Sequence, residues 1–246
     1  MQGQFQIAGG SVTGREHVAA GRNNQDAFCW SAAADATVAV VADGCGSGRY
    51  SEVGAQVGAR LLTAALREQA ARFETEKAED VLERIRLDVL AQLRVLANAM
   101  GGSLSQVVSD YFLFTTLGFV IGPRTATVFG IGDGVVCVNG RIRKLVAACN
   151  EPAYLGYGLT SSTFADDDLR FVVYERLPAD EARTLLVGTD GAFELAESGE
   201  AAVAEFWTSD RFFSNPYIVG RRLSQWKRVM ALPDDTTLVV ARRAGA

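Results

Sequence analysis

The chain has 246 residues, with 24 Lys and Arg against 29 Asp and Glu, a formal net charge of −5 and 48% hydrophobic residues. That composition is too apolar for a chain disordered throughout, and its acidic balance lacks the electrostatic footprint of a general nucleic-acid binder. No apolar run approaches the roughly 20 residues of a membrane span, and the opening stretch MQGQFQIAGGSVTGREH has neither the basic flank nor the apolar run of a signal peptide. A cytoplasmic chain with no membrane and no nucleic-acid partner is expected. In chain order, clusters of β-branched and apolar residues predict strands over 5–13, 27–33 and 37–42. Two helices follow. Over 51–73 the apolar residues Val53, Val57, Leu61, Leu62 and Leu66 recur every three or four positions. Over 78–100, Leu82, Ile85, Val89, Leu93, Leu96 and Met100 do the same, and Gly101-Gly102 ends the run. Further strands are predicted over 111–121, 125–132, 135–139, 141–147, 169–175 and 184–188, with hairpin turns at Gly122-Pro123 and Gly140-Arg141. The acidic triplet 166–168 reads as an exposed loop. A helical region over 192–230 must break at Asn215-Pro216, and a last strand covers 237–242.

Strands in consecutive hairpins favour antiparallel sheets with helices packed outside. The expected architecture is α+β, a four-layer αββα sandwich of two antiparallel β-sheets flanked by helices, in one domain over 1–246. The aromatic stretch with Phe206, Trp207, Phe212, Phe213 and Trp226 reads as core packing.

Cysteine and histidine remove several chemistries. Cys29, Cys45, Cys137 and Cys149 form no C-x-x-C pair, so zinc-knuckle and thioredoxin motifs are absent, and reduced thiols are expected. His17 is the sole histidine, which excludes sites needing two. No G-x-S-x-G elbow presents a serine nucleophile.

One pattern recurs. An apolar strand ends in aspartate followed by glycine at Asp43-Gly44, Asp133-Gly134 and Asp190-Gly191, and Asp26 and the pair Asp234-Asp235 each stand directly before a strand. Asp-Gly alone is an ordinary turn. Carboxylates gathered at strand ends repel one another and resist desolvation. A hard divalent cation removes that cost, and oxygen donors without Cys or His point to Mg²⁺ or Mn²⁺. Two such ions about 3.5–4 Å apart would hold a hydroxide and orient a phosphate for in-line attack.

The ordered motifs N-Q-D (24–26), V-V-A-D-G (40–44), T-T-L (115–117), G-D-G (132–134), G-T-D-G (188–191) and D-D-T-T-L-V-V (234–240) resemble those of the PP2C or PPM-type metal-dependent protein phosphatases. The segment G-x-E-H-x-x-x-G-x-x-x-Q-D-A, from Gly14 to Ala27, is similar to a divergent bacterial branch of that family. The resemblance implies hydrolysis of phosphoserine and phosphothreonine in a phosphoprotein substrate, opposite a cognate Ser/Thr kinase. It implies two Mn²⁺ or Mg²⁺ ions and a weaker third. Asp43 would bridge the two metals and the Gly44 carbonyl would complete the second site. Asp190 and Asp234 would bind the first metal, and Asp26, with Gln25 beside it, would hold metal-bound water. Asp133 would join Asp190 at the third site.

Three positions depart from the family. Its phosphate-gripping arginine falls at Gly21; Arg22 is adjacent, with its side chain expected on the opposite face of an extended segment. The family's frequent histidine two residues after the bridging aspartate is Cys45, and Gln25 stands where glutamate is common. His17 or Arg15, both shortly before Asp26, would then reach the site, His17 as a catalytic proton donor. Two alternatives stay open: a pseudophosphatase acting as a regulatory binding module, and an S-adenosylmethionine-dependent methyltransferase using A-D-G-C-G-S-G at 42–48.

Overall fold

The computed structural model describes residues 4–147, 151–160, 163–230 and 232–245. Ten strands form two five-stranded sheets among these residues: β1 (Phe5–Val12), β2 (Asp26–Ala32), β3 (Thr37–Gly44), β4 (Phe114–Ile121), β5 (Thr125–Ile131), β6 (Gly134–Val138), β7 (Arg141–Leu145), β8 (Val172–Pro178), β9 (Thr184–Gly188) and β10 (Thr236–Arg243). One sheet runs β1-β10-β9-β6-β7 and the other β2-β3-β4-β5-β8. Every pairing is antiparallel. A short helix, α1 (Arg15–Ala20), follows β1. Helices α2 (Ser51–Gln69) and α3 (Ala78–Met100) cover the second sheet, and α4 (Leu104–Val107) leads into β4 through a π-type turn, Val108–Phe112. Helices α5 (Phe193–Glu197), α6 (Glu200–Thr208), α7 (Arg211–Ser214) and α8 (Ile218–Met230) cover the first.

The layers follow from strand alternation. Ala39 and Val41 of β3 meet Leu185, Val187, Val239 and Ala241 of the other sheet in the inter-sheet core. Their neighbours Val38, Val40 and Ala42 face Leu62, Leu66, Leu82 and Ile85 of α2 and α3. Both faces of these strands are covered, which is why VAVVA reads as a continuous apolar run. Over the first sheet, Ala8, Leu186 and Val240 pack on Phe206, Phe212, Val219 and Leu223. Trp207, Phe213 and Trp226 pack against this cluster as partly buried side chains. Each such buried leucine or phenylalanine contributes about 1.5–3 kcal/mol. The four-layer αββα order is as expected.

Several local expectations need correction. The buried face of α2 is Gly54, Ala55, Gly58, Ala59, Leu62 and Leu66, while Val53 is 42% exposed. Small residues set this rotation. A Cβ at Gly54 would lie 1.7 Å from the Tyr111 carbonyl oxygen, and one at Gly58 would lie 2.2 Å from the Phe114 ring. On α3, Leu82, Ile85, Val89 and Leu93 are buried, but Leu96 and Met100 face solvent and Ala97 ends the inward row. The strand expected from 111 begins at Phe114, because Val108 and Phe112 turn into the helical core. The strand expected from 169 begins at Val172, after a short 3₁₀ turn over Asp166–Leu169 whose three aspartates are exposed. Helix α1 has no buried residue and so carried no apolar period to read. Cys29, Cys45 and Cys137 are free thiols; Cys149 lies outside the described residues.

Candidate active site

The aspartates at the strand ends come together at one end of the sandwich. Asp43 closes β3 directly opposite Asp26, the first residue of β2, and opposite Thr115 on the other side. In the other sheet, Gly188 of β9 pairs with both Leu238 of β10 and Val135 of β6. That register brings Asp190, just past β9, beside Asp133, just before β6, and Asp234, just before β10. Asp43, Asp133, Asp190 and Asp234 line one pocket of about 200 Å³ with Gly44 and Thr115. His17, Gln25, Cys45 and Tyr154 complete its wall.

The electrostatics are those of crowded, poorly compensated carboxylates. Burial, then the charges of Asp26, Asp190, Asp234 and Asp133, hold the Asp43 carboxyl well above its usual range. Asp190 is pushed up to about 6 by burial and by Asp234 and Asp133. Burial also raises Asp133 and Asp234, each against backbone hydrogen bonds that lower it. Asp26 is 6% exposed and sits behind Asp43 rather than in the pocket lining. Its Oδ2 accepts a 2.7 Å bond from Thr189 Oγ1, and burial still raises it well above its usual value. Asp26 Oδ1 and Asp190 Oδ1 are buried without a hydrogen-bond partner. Among the described residues, no Lys or Arg lines the pocket. Such a group of carboxylates either keeps its protons or takes up a cation.

The adjacent aspartates 234 and 235 have different surroundings. Asp234 is exposed to the pocket. Asp235, 1% exposed, is enclosed: Oδ1 accepts from the Gly14 N–H at 2.6 Å and Oδ2 from the Gln25 N–H at 2.5 Å. His17 Nδ1 lies 2.8 Å from Asp235 Oδ2, a close approach that misses hydrogen-bond alignment. Among the described residues, His17, Asp234 and Asp235 bring donor atoms within 4.8 Å of one another. Asp235 is committed to two backbone donors through both oxygens, whereas Asp234 accepts only the Asp235 N–H, at 2.7 Å through Oδ1, and keeps Oδ2 for the pocket.

Residues 13–226 match the family described as Protein phosphatase 2C. The chain belongs to the protein phosphatase 2C family. No curated protein matches it. Among solved structures it is similar to a bacterial serine phosphatase carrying an arginine-to-alanine substitution, with TM-score 0.63 and 17% identity over 98% of this chain and 99% of that one. The serine/threonine phosphatase Stp1 from Staphylococcus aureus aligns with TM-score 0.60 and 18% identity over 100% of this chain and 98% of that one. PppA, a regulatory component of T6SS in Pseudomonas aeruginosa, aligns with TM-score 0.58 and 17% identity over 97% of each chain. At these identities the likeness is one of fold.

PP2C proteins use divalent metals, and the residues present fit such ions. Gln25 Oε1, Asp26 Oδ1 and Asp190 Oδ1 are buried oxygens without a hydrogen-bond partner, which is the chemistry of a hard cation, and His17 Nδ1 is the one nitrogen beside them in that state. At Gly44 a Cβ would lie 2.8 Å from the Ser51 backbone and 2.9 Å from the Gln25 carbonyl oxygen, so only glycine fits this close approach. The methyltransferase alternative fails on topology. Loop 44–48 follows a strand with antiparallel neighbours on both sides, whereas that cofactor loop belongs to a parallel sheet.

The departures also resolve structurally. Gly21 has φ +65 and open space around it. Arg22 does not point away, because its segment is a helix end followed by a left-handed turn, not a strand. Its guanidinium donates to the Gly46 carbonyl at 2.8 Å and reaches Gly48 at 3.4 Å, at the pocket rim. Of the two residues expected to reach the site, His17 lines the pocket and Arg15 stays on the exposed face of α1. Cys45 Sγ lies 3.1 Å from Ser47 Oγ. Burial raises this thiol, but hydrogen bonds with Ser47 and Tyr154 outweigh it and lower its pKa. Tyr154, raised by burial and by Cys45, was not anticipated; it lies between β7 and β8 in a stretch without strand or helix periodicity. No helix among the described residues is long and apolar enough to cross a membrane.

Proposed function

We propose that this pocket hydrolyses phosphoserine and phosphothreonine esters in proteins, using two Mg²⁺ or Mn²⁺ ions and a weaker third. The observation that carries the reading is the convergence of Asp43, Asp133, Asp190 and Asp234 in one pocket, with no lysine or arginine among its described lining residues. Asp43, the Gly44 carbonyl, Asp190 and Asp234 would hold the two ions, and Asp133 with Asp190 the third. When bound, these ions supply Lewis-acid activation of water and neutralise phosphate charge. Asp26, behind Asp43, accepts from Thr189 through one oxygen and keeps Oδ1 to orient water in the outer shell. His17, with Nδ1 turned to Asp235, offers Nε2 to protonate the departing serine or threonine alkoxide. Arg22 brings a cation to the rim at Gly46, where it meets the incoming phosphate. In this reading residues 1–246 form one cytoplasmic domain that reverses the work of a Ser/Thr kinase.

The test is hydrolysis of p-nitrophenyl phosphate and of a phosphothreonine peptide with Mn²⁺, with EDTA, and with the Asp43→Asn variant. Activity abolished by both chelation and substitution is expected. Activity indifferent to either would reject the assignment. Glycine at 21 and cysteine at 45 favour one second reading, a pseudophosphatase acting as a binding module. It predicts stabilisation by Mn²⁺ with no turnover of either substrate.

A further inference from the structure

A second opening lies between the two sheets where β7 and β8 form their free edges. It has a volume of about 210 Å³, and Val128, Val136 and Val138 line it. Arg141, Arg143 and Tyr174 surround the mouth. Alternation explains the arginines. Ile142 packs on the helical side and Leu145 on the inter-sheet side, so Arg141 and Arg143 occupy positions of β7 that elsewhere in these sheets carry apolar core residues. Tyr174 is placed by a bulge: Val128 pairs with Glu175 and Phe129 with Val173, leaving Tyr174 as the extra residue turned towards the inter-sheet core.

The two guanidinium groups are barely engaged. Arg143 lies 5.2 Å from the Tyr174 ring centre. Arg141 reaches Glu175 at 3.7 Å with 76% of its side chain exposed, a pair worth little in water. Among the described residues, the contacts of these two guanidinium groups are the Glu175 carboxylate and the Tyr174 ring. The slot thus offers an apolar interior, an aromatic wall and two guanidinium groups against one lining carboxylate, Glu175, which leaves its mouth positive on balance. That combination selects a ligand with an apolar body and an anionic head.

We propose that this slot is a binding site for a small amphipathic anion, its apolar body between Val128, Val136 and Val138 and its anionic group on Arg141 and Arg143. This inference does not depend on the chemistry of the acidic pocket. The probe is 8-anilinonaphthalene-1-sulfonate, titrated by fluorescence into the full chain. Its neutral counterpart, N-phenyl-1-naphthylamine, is titrated in parallel. Saturable binding of one sulfonate per chain is expected. Its Kd should rise tenfold or more in the double variant Arg141→Gln/Arg143→Gln, while the neutral probe changes less than twofold. The control is Arg221→Gln/Arg228→Gln on α8, which removes the same charge from exposed positions elsewhere and should leave the Kd within twofold. Non-saturable binding, an unchanged Kd in the slot variant, or an equal loss in the control would overturn the proposal. A Kd that rises with protein concentration would overturn it too, because a second copy of the chain would then be the occupant.

Discussion

The acidic pocket and the edge slot are nearly equal in size, about 200 and 210 Å³, and opposite in character. The acidic pocket is made from strand ends, where the chain leaves the sheet and glycine or a turn follows. The slot is made from strand faces at the free edges of both sheets. Strand ends from distant parts of the sequence converge only when the whole topology is formed, so the charges gathered there repel one another in the absence of a counterion. At the edge, the arginines stand in solvent and cost the fold almost nothing. The same kind of charge change should therefore have large effects at one opening and small effects at the other.

Asp43→Asn tests the strand-end side most severely. Loss of the bridging carboxylate should lower kcat for p-nitrophenyl phosphate with Mn²⁺ by about a thousandfold or more, some 4 kcal/mol of barrier. The metal-free variant should at the same time be more stable than the parent in alkaline solution, because a carboxyl opposed by burial and by four neighbouring carboxylates is replaced by a neutral amide. A variant that is both inactive and less stable than the parent in EDTA would mean that Asp43 has a structural partner, and the contrast would fail.

The pH dependence sharpens the same point. Asp190 ordinarily titrates near 3.8 and is held at about 6 in the fold. Because the folded value is raised, its stabilising effect is complete below about 4 and is lost as pH rises through 6, on the order of 3 kcal/mol in all. The raised values of Asp26, Asp43, Asp133 and Asp234 act in the same direction. The melting temperature in EDTA should fall between pH 5 and pH 7.5, and the gain from added Mn²⁺ should be larger at pH 7.5. Asp35, Glu76 and Glu83 are lowered by arginine partners and lose their contribution only in more acidic solution, outside this window. A melting temperature that rises over this range in EDTA would contradict the assignment.

Asp235→Ala follows in size. It leaves the Gly14 and Gln25 N–H groups without their acceptor, and it releases His17. A loss of about 2–4 kcal/mol is expected from two orphaned donors, or about 5–15 °C in melting temperature for a chain of this length. Calorimetry with and without Mn²⁺ checks it, and the loss should persist when metal is bound. An effect that disappears in saturating Mn²⁺ would instead make Asp235 a ligand.

What could be read from the sequence divides along the same line. Strand-end aspartates are legible because each sits between an apolar run and a glycine or turn, and antiparallel register does the rest. The two-sided burial of β3 and its partners is legible as uninterrupted apolar sequence. The face of α2 is not, since Val53, Val57 and Leu61 carry the conspicuous apolar period, whereas Gly54 and Gly58 decide which side can approach Tyr111 and Phe114. Nor does the residue pattern by itself separate two identical neighbours; only the family resemblance singles out Asp234. Asp234 is in the pocket and Asp235 is wrapped by backbone donors because of where β10 begins relative to Gly14, ahead of α1, and Gln25, ahead of β2. Arg22 was misplaced by treating a helix end as extended chain. Tyr174 depends on a bulge, one unpaired residue in a strand, for which its sequence carries no mark.

The smallest expected effect lies at the edge. Arg141→Gln removes an exposed pair at 3.7 Å, and Arg143→Gln removes a stacking contact over Tyr174. Together these are worth about 1 kcal/mol or less, so the double variant should melt within about 4 °C of the parent. Its Mn²⁺-dependent activity should stay within about twofold of the parent's, since neither residue lines the acidic pocket. Neutralising two cations at the slot should therefore disturb the fold less than leaving Asp190 ionised without a cation. If the double variant instead unfolds by ten degrees or more, the guanidinium groups are holding the sheet edges together, and the division between costly strand ends and free strand edges is wrong.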